Sequence, residues 1–353
     1  MAKVNRKPLK GQEAIDLWLK GKDAWNHEVM LRQNFDVDFS GVDFSEYRTT
    51  HPIISFVGFH FPNGNVSFIG AQFGDGGVSF VGAQFGAGDV FFSCAEFGNG
   101  KVTFSNVKFG GSAFFTDLGN IKNIKSFSFE SSVFDGPFNI SSDETFPCII
   151  DLTHTKTAHH MSLDGLKCVL RCEGELKSYF DFDRDWVKKK TVADKGDIAR
   201  ARRLKELAEA NKDHQAAQDF HVLEMQAKRV HSKCPIGYLW NTEFWYEKLS
   251  DYGRSISRPL DRLWDICLFY MAAYIGISYQ IVGHFNCLKS LIYSAAQMFA
   301  FIPSSRNARS DIRTVLFDEP PPDLIYALTF SQSILALMLL FLLGLGLRHR
   351  YRI

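Results

Sequence analysis

Five side chains between Asp151 and Cys172, in the stretch DLTHTKTAHHMSLDGLKCVLRC, are of the types that ligate zinc: His154, His159, His160, Cys168 and Cys172. Structural zinc sites use closely spaced ligand pairs, which a CxxxC beside scattered histidines lacks. No metal and no other cofactor is expected, and these five are weak candidates only. A second group is polar among apolar neighbours. Tyr270, Tyr274 and Ser278 fall at i, i+4 and i+8 of an uncharged run, and Gln297 opens the segment QMFAFIPSS. Such a stripe suits a helix inside a bundle or facing a pore. No nucleophile with a base, no paired-carboxylate site and no phosphate loop accompanies them. Gly74, Gly76 and Gly77 recur from copy to copy of a repeat and open no helix, so they read as corners, not as a phosphate cradle. The expected protein is not an enzyme.

The elements around these groups begin with that repeat. From Ile54 the chain reads ISFVGFHFPNGN, VSFIGAQFGDGG, VSFVGAQFGAGD, VFFSCAEFGNGK and VTFSNVKFGG, a period of twelve. Fixed-period self-similarity marks a repeat architecture. Phe56, Phe68, Phe80, Phe92 and Phe104 share one register, Phe61, Phe73, Phe85, Phe97 and Phe109 a second, and Gly64, Gly76, Gly88 and Gly100 a third. Val66, Phe68, Ala71 and Phe73 are apolar while Ser67 and Gln72 are polar, the alternation of a strand with one buried face. The glycine pieces then act as corners, since glycine accepts positive φ. Stacked coils would turn the two phenylalanine registers into two internal ladders.

The five-residue step from Phe68 to Phe73, with Ala71 two places before Phe73, and the segment VDFSGVDFS (37–45) resemble the pentapeptide repeat. That resemblance implies a right-handed, four-sided β-helix. A two-residue glycine insertion after every second pentapeptide departs from the pattern and would lengthen a coil. The expected fold class is mixed: a pentapeptide-type β-helix, then an αα-hairpin and a two-helix transmembrane module.

Residues 1–34 are expected to form a helical cap, with Ile15, Trp18 and Leu19 on one face covering the first strand edges. The β-helix is expected over 35–172 and a linker over 173–195. A helical hairpin and juxtamembrane helix fill 196–261, and the membrane module fills 262–353. In the hairpin, Ala201, Leu204 and Leu207 face Ala216, Phe220 and Leu223 across a turn at 211–213. Its Arg200, Arg202, Arg203, Lys205, Lys228 and Arg229 read as a solvated face, with anionic lipid as the other reading.

The net charge of +1 over 353 residues hides an asymmetry: residues 35–150 carry 12 acidic and 5 basic side chains. Seven scattered cysteines and an N-terminus without an apolar core fit a reducing cytosol for everything before residue 262.

From Leu324 to Leu347 no charge interrupts 24 residues, about 36 Å of helix against a hydrocarbon core of about 30 Å. Residues 266–283 form a more polar second span. Between them, residues 287–302 read as a re-entrant or interfacial helix stopped by Pro303. Arg254, Arg258 and Arg262 precede the first span and Arg348, Arg350 and Arg352 follow the second, which puts both termini in the cytoplasm.

The segments 202–229, LSDYGRSISRPL (249–260) and GLGLRHRYRI (344–353), with the opening helix, resemble bacterial pentapeptide-repeat membrane proteins whose C-terminal module is related to two-transmembrane cation channels. The resemblance implies a multi-pass protein of the bacterial inner membrane: an oligomeric, channel-like or membrane-perturbing effector controlled by the cytosolic repeat. QMFAFIPSS replaces a potassium filter, so no ion selectivity carries over. Expected partners are the lipid bilayer, further copies of the chain and a cytosolic protein on the repeat, with no nucleic acid. The alternatives are a non-conducting, membrane-anchored interaction scaffold and a DNA-mimicking topoisomerase binder.

Overall fold

A computed structural model describes residues 8–159, 161–173, 191–192, 194–231, 242–317 and 320–350. The chain divides into two compact units, Met1–Lys233 and Cys234–Ile353.

In the first unit the strands are two or three residues long and nearly all parallel. The largest sheet runs Leu9–Lys10, Val37–Asp38, Val66–Ser67, Val90–Phe91, Ala113–Phe115, Phe138–Ile140, Met161–Ser162, in chain order. A four-stranded sheet joins Ile53–Ser55, Gly77–Ser79, Lys101–Thr103 and Ser126–Ser128, and another joins Gln84–Phe85, Lys108–Phe109, Val133–Phe134 and Lys156–Thr157. Single bridges Asp43–Gln72–Glu96–Gly119 form a further column.

This overturns the expected right-handed pentapeptide-type β-helix over 35–172 with its twelve-residue period. The three parallel sheets, of seven, four and four strands, together with the helices give an α/β-type arrangement. Strand partners lie two of the twelve-residue periods apart. Val66 pairs with Val90 and Val78 with Val102, 24 residues apart. Twelve residues carry the chain only to another sheet, and a further twelve bring it back beside its earlier strand.

The phenylalanine core follows the same rule. Four stacks replace the two expected ladders: Phe39–Phe68–Phe92–Phe115, Phe56–Phe80–Phe104–Phe129, Phe44–Phe73–Phe97 and Phe61–Phe85–Phe109–Phe134. All these rings are buried, and rings of adjacent stacks meet edge to face, the arrangement that the aromatic quadrupole favours.

The glycines divide into two kinds. Gly70 and Gly82 take positive φ in open space, as a left-handed turn requires. Cys94, Asn106, Ser131 and His154 also have positive φ; Cys94 and Asn106 continue the twelve-residue series of Gly70 and Gly82. Gly64, Gly88 and Gly100 are not left-handed. A Cβ at Gly88 would collide with the carbonyl of Gly64, and one at Gly100 with that of Gly76. The expected corner role is thus a close-packing role at these positions.

Helices close both ends of this core. The N-terminal segment forms two helices, α1 (Gln12–Leu19) and α2 (Lys22–Leu31), broken at Gly21 with φ 88°. Trp18 Nε1 donates to the Ser55 carbonyl at 3.0 Å, and Trp25 Nε1 to that of His60 at 2.8 Å. At the other end lie α3 (Asp197–Ala210) and α4 (His214–His231). Ala201, Leu204, Leu207 and Phe220 join the same apolar cluster as Leu163 and Leu166. The hairpin therefore needs no second copy of the chain to bury its face. The expected linker lies outside the described residues except for Glu173, Thr191, Val192, Asp194 and Lys195; within it Thr191–Val192 pairs antiparallel with Cys172–Glu173.

The second unit is helical: α5 (Thr242–Ser250), α6 (Ser257–Val282), α7 (Cys287–Met298), α8 (Ser305–Phe317) and α9 (Asp323–Arg350). Helix α6 begins nine residues before the expected span and ends on Gly283, whose left-handed backbone lets its N–H reach the Tyr279 carbonyl. Helix α7 ends at Met298, four residues short of the expected segment, and α8 is an element the sequence reading lacked. α6 and α9 are long and apolar enough to cross a membrane by length and composition.

Candidate functional site

The candidate site lies in the second unit, where polar side chains of α6, α7 and α9 meet between the helices. The i, i+4 spacing of α6 puts Tyr270, Tyr274 and Ser278 on one face, and all three are buried. Tyr270 Oη lies 2.7 Å from Ser331 Oγ. Tyr274 donates to Gln332 Oε1 at 2.8 Å. The other end of that amide donates to Ser294, to Oγ at 2.8 Å and the carbonyl at 3.0 Å. Ser294 Oγ passes the chain on to the carbonyl of Cys267 at 2.8 Å. Gln297 is also buried, and its carbonyl accepts from Ser333 Oγ at 3.3 Å.

Tyr274, Gln332 and Ser294 are buried among the helices and Ser331 and Ser333 are half-buried, with Gln332 satisfied at both ends. Unpaired buried amides and hydroxyls cost far more than paired ones, so the cluster fixes the rotation of α9 against α6 and α7. Ser290 Oγ is buried and makes no hydrogen bond. The arrangement offers orientation and rigidity, and no nucleophile or base.

Around the cluster, leucine, alanine and phenylalanine side chains pack inside the unit, and large apolar side chains also cover its surface. Phe269, Leu288, Phe330, Leu337 and Phe341 are exposed, while serines, glutamines and tyrosines lie inside. Only 22% of the apolar stretch of α6 and 28% of that of α9 is buried within the chain, so much of both helices is open to lipid or to a partner.

Of the weak zinc candidates, the described His154, His159 and Cys168 take part in no metal-holding group. His154 and His159 are exposed, and Cys168 is buried. His160 and the Cys172 side chain lie outside the described residues. Among the described residues no group of three or more His, Cys, Asp or Glu could hold a metal. Burial pushes the Cys168 thiol up to about 12 and the Cys148 thiol up to about 11.

Arg200, Arg202, Arg203, Lys205 and Lys228 of the hairpin all have partners, and the Arg229 side chain lies outside the described residues. Arg200 donates to Asp151 Oδ2 at 2.8 Å, Asp194 Oδ2 at 2.7 Å and Asp197 Oδ1 at 2.9 Å. Burial alone would lower its pKa, and these three carboxylates more than reverse the effect. Arg203 Nη2 reaches the Thr155 carbonyl and Asn211 Nδ2 that of Met161. Arg202 and Lys228 both pair with buried Glu224. Burial raises that carboxyl's pKa, and the two cations outweigh it to hold the group below its usual range.

Sequence reasoning missed the α9 half of the cluster. Its signal was Ser331-Gln332-Ser333, three polar residues inside an uncharged run whose missing charge alone was noted. No family model, no curated protein and no solved structure matches the chain.

Proposed function

We propose that the chain is a multi-pass protein of the bacterial inner membrane, like the membrane proteins its terminal motifs resemble, and that it holds the strand unit at the cytoplasmic face as a binding surface for a protein partner. The observation that carries this reading is the pairing, in the second unit, of a polar cluster closed on itself with an apolar surface: buried Gln332, Ser294 and Tyr274 bond to one another while Phe269, Phe330 and Phe341 are exposed. In hydrocarbon a polar side chain must find a protein partner, and an apolar one need not. The arginines before α6 and after α9 support cytoplasmic termini. Carbonate extraction of membranes, with protease protection of tags at each terminus, tests the reading. Release of the full-length chain into the supernatant, or a protected terminus, would refute it.

A second reading is the oligomeric, channel-like effector. It is favoured by α7 and α8, two half-length helices between the spans. Against it, the polar stripe of α6 is already satisfied within one subunit. Deleting 263–353 separates the two readings: a scaffold keeps its partner, and a pore loses all activity. Ion flux from liposomes holding the full chain would establish the second.

A further inference from the structure

The helical unit contains a charged cavity that the polar cluster and the apolar spans leave unexplained. It has a volume of about 430 Å³ and lies where α5 gives way to α6, with Glu247, Asp251, Asp261 and Asp265 facing Lys248, Arg258 and Arg262. Its charges are only partly spent on one another. Arg258 Nη1 donates to the Glu247 carbonyl at 3.2 Å and lies 3.5 Å from Asp251 Oδ1. Arg262 reaches Asp265 at 2.9 Å within its own helix. Asp261 makes no hydrogen bond or ion pair with a described residue.

Immediately along α6 the helix surface becomes apolar. Leu260, Trp264 and Leu268 recur every fourth residue and are all exposed, so they form one stripe running from the cavity toward the uncharged part of the helix. A tryptophan between a charged helix end and an apolar run is where an interfacial anchor belongs.

We propose that this cavity binds the headgroup of a phospholipid carrying both a phosphate and a primary ammonium, with its acyl chains along Leu260, Trp264 and Leu268. The proposal rests on the membrane reading above. Arg258 and Arg262 take the phosphate, because the planar guanidinium fork matches its oxygens. Asp261, with Asp251 and Asp265 beside it, accepts the ammonium hydrogens. Choline headgroups have no N–H to give. A purely anionic headgroup meets four carboxylates against three cations and gains nothing from Asp261.

The test uses the purified full-length protein in detergent, titrated with short-chain phosphatidylethanolamine, phosphatidylcholine and phosphatidylglycerol, with bound lipid counted by native mass spectrometry. Phosphatidylethanolamine is expected to bind about tenfold more tightly than the other two, the worth of one charge-assisted hydrogen bond. Asp261→Asn, an exposed position that leaves folding intact, removes the preference, and Arg262→Gln weakens both phosphatidylethanolamine and phosphatidylglycerol. Equal affinity for all three lipids, an unaltered preference in Asp261→Asn, or inorganic phosphate competing as strongly as the lipid would overturn the proposal. Flotation of the same protein on phosphatidylcholine vesicles in carbonate separates the two failures. Protein that floats but shows no headgroup preference sinks only the lipid site, whereas protein that does not float sinks the membrane reading.

Discussion

Phe68 stacks on Phe92 with centroids 4.7 Å apart and rings 6° from parallel, whereas Phe80, only twelve residues on, meets Phe68 edge-on at 89°. Phe68 also contacts Phe39, Phe44, Phe56, Phe61 and Phe73. Removing it leaves a void that seven rings, locked by their own stacks, cannot close. Phe68→Ala should cost about 3–5 kcal/mol. Phe91→Ala, a half-buried ring stacked only on Phe114 on the outer face, should cost roughly 1 kcal/mol. Thermal unfolding of both variants checks the contrast; equal losses would mean that the stacked core does not carry the unit.

The repeat itself was plain in the sequence, because Phe68, Phe80 and Phe92 announce their register by identity. What twelve residues accomplish was not. Alternation fixes which side chains turn inward, but not how far two short strands and two corners carry the chain, and that distance set the pairing at 24. The helices of the second unit were legible from missing charge and from Pro303. Their partners were not, since Ser331, Gln332 and Ser333 declare a need for hydrogen bonds without naming who supplies them. The short helix α8 escaped because three arginines hid its apolar positions Ile312, Leu316 and Phe317, which bury against α6 and α7 or lie beside them.

Glycine at position 88 is required by space and at position 70 by backbone angle, and the two requirements predict different costs. A methyl at Gly88 collides with the backbone carbonyl of Gly64, two residues before the strand that opens at Val66. Gly88→Ala should therefore cost about 3 kcal/mol or more. Gly70, with φ +63° and nothing within 4 Å, pays only the left-handed strain, about 1–2 kcal/mol on replacement by Ala. Chemical denaturation of the two variants, fitted with a shared slope, measures the difference. A Gly70→Ala variant as damaged as Gly88→Ala would contradict the assignment.

Cys148 and Cys168 give the first unit an alkaline sensitivity. Their folded thiols titrate at about 11 and about 12 because burial disfavours the thiolate, while an unfolded thiol titrates near about 8.5. Above that pH the unfolded chain releases protons that the folded chain keeps, so stability present at neutral pH falls as the pH climbs toward 11 and 12. Replacing both residues by Ala should flatten the decline. At pH 8, iodoacetamide should modify exposed Cys94 and spare these two. Peptide mapping after a short exposure reads the result, and prompt labelling of Cys168 would show the burial to be wrong.

Gln332 bridges α9 to both neighbouring helices, accepting from Tyr274 and donating to Ser294. Replacing it by Leu leaves the Tyr274 hydroxyl without its acceptor and removes both donations to Ser294. Interhelical hydrogen bonds in membranes are worth about 0.6 kcal/mol on average and up to about 1.7. Three are lost here and the Tyr274 hydroxyl loses its acceptor, so Gln332→Leu should destabilise the purified protein by about 1–3 kcal/mol. Tyr274→Phe in that background should restore part of the loss, since one orphaned hydroxyl is then gone. The double-mutant cycle of the two substitutions should give a coupling of about 0.5–2 kcal/mol. A coupling of zero, with Gln332→Leu behaving like wild type, would mean that Gln332 is not buried against Tyr274 and that the inward polar cluster does not exist.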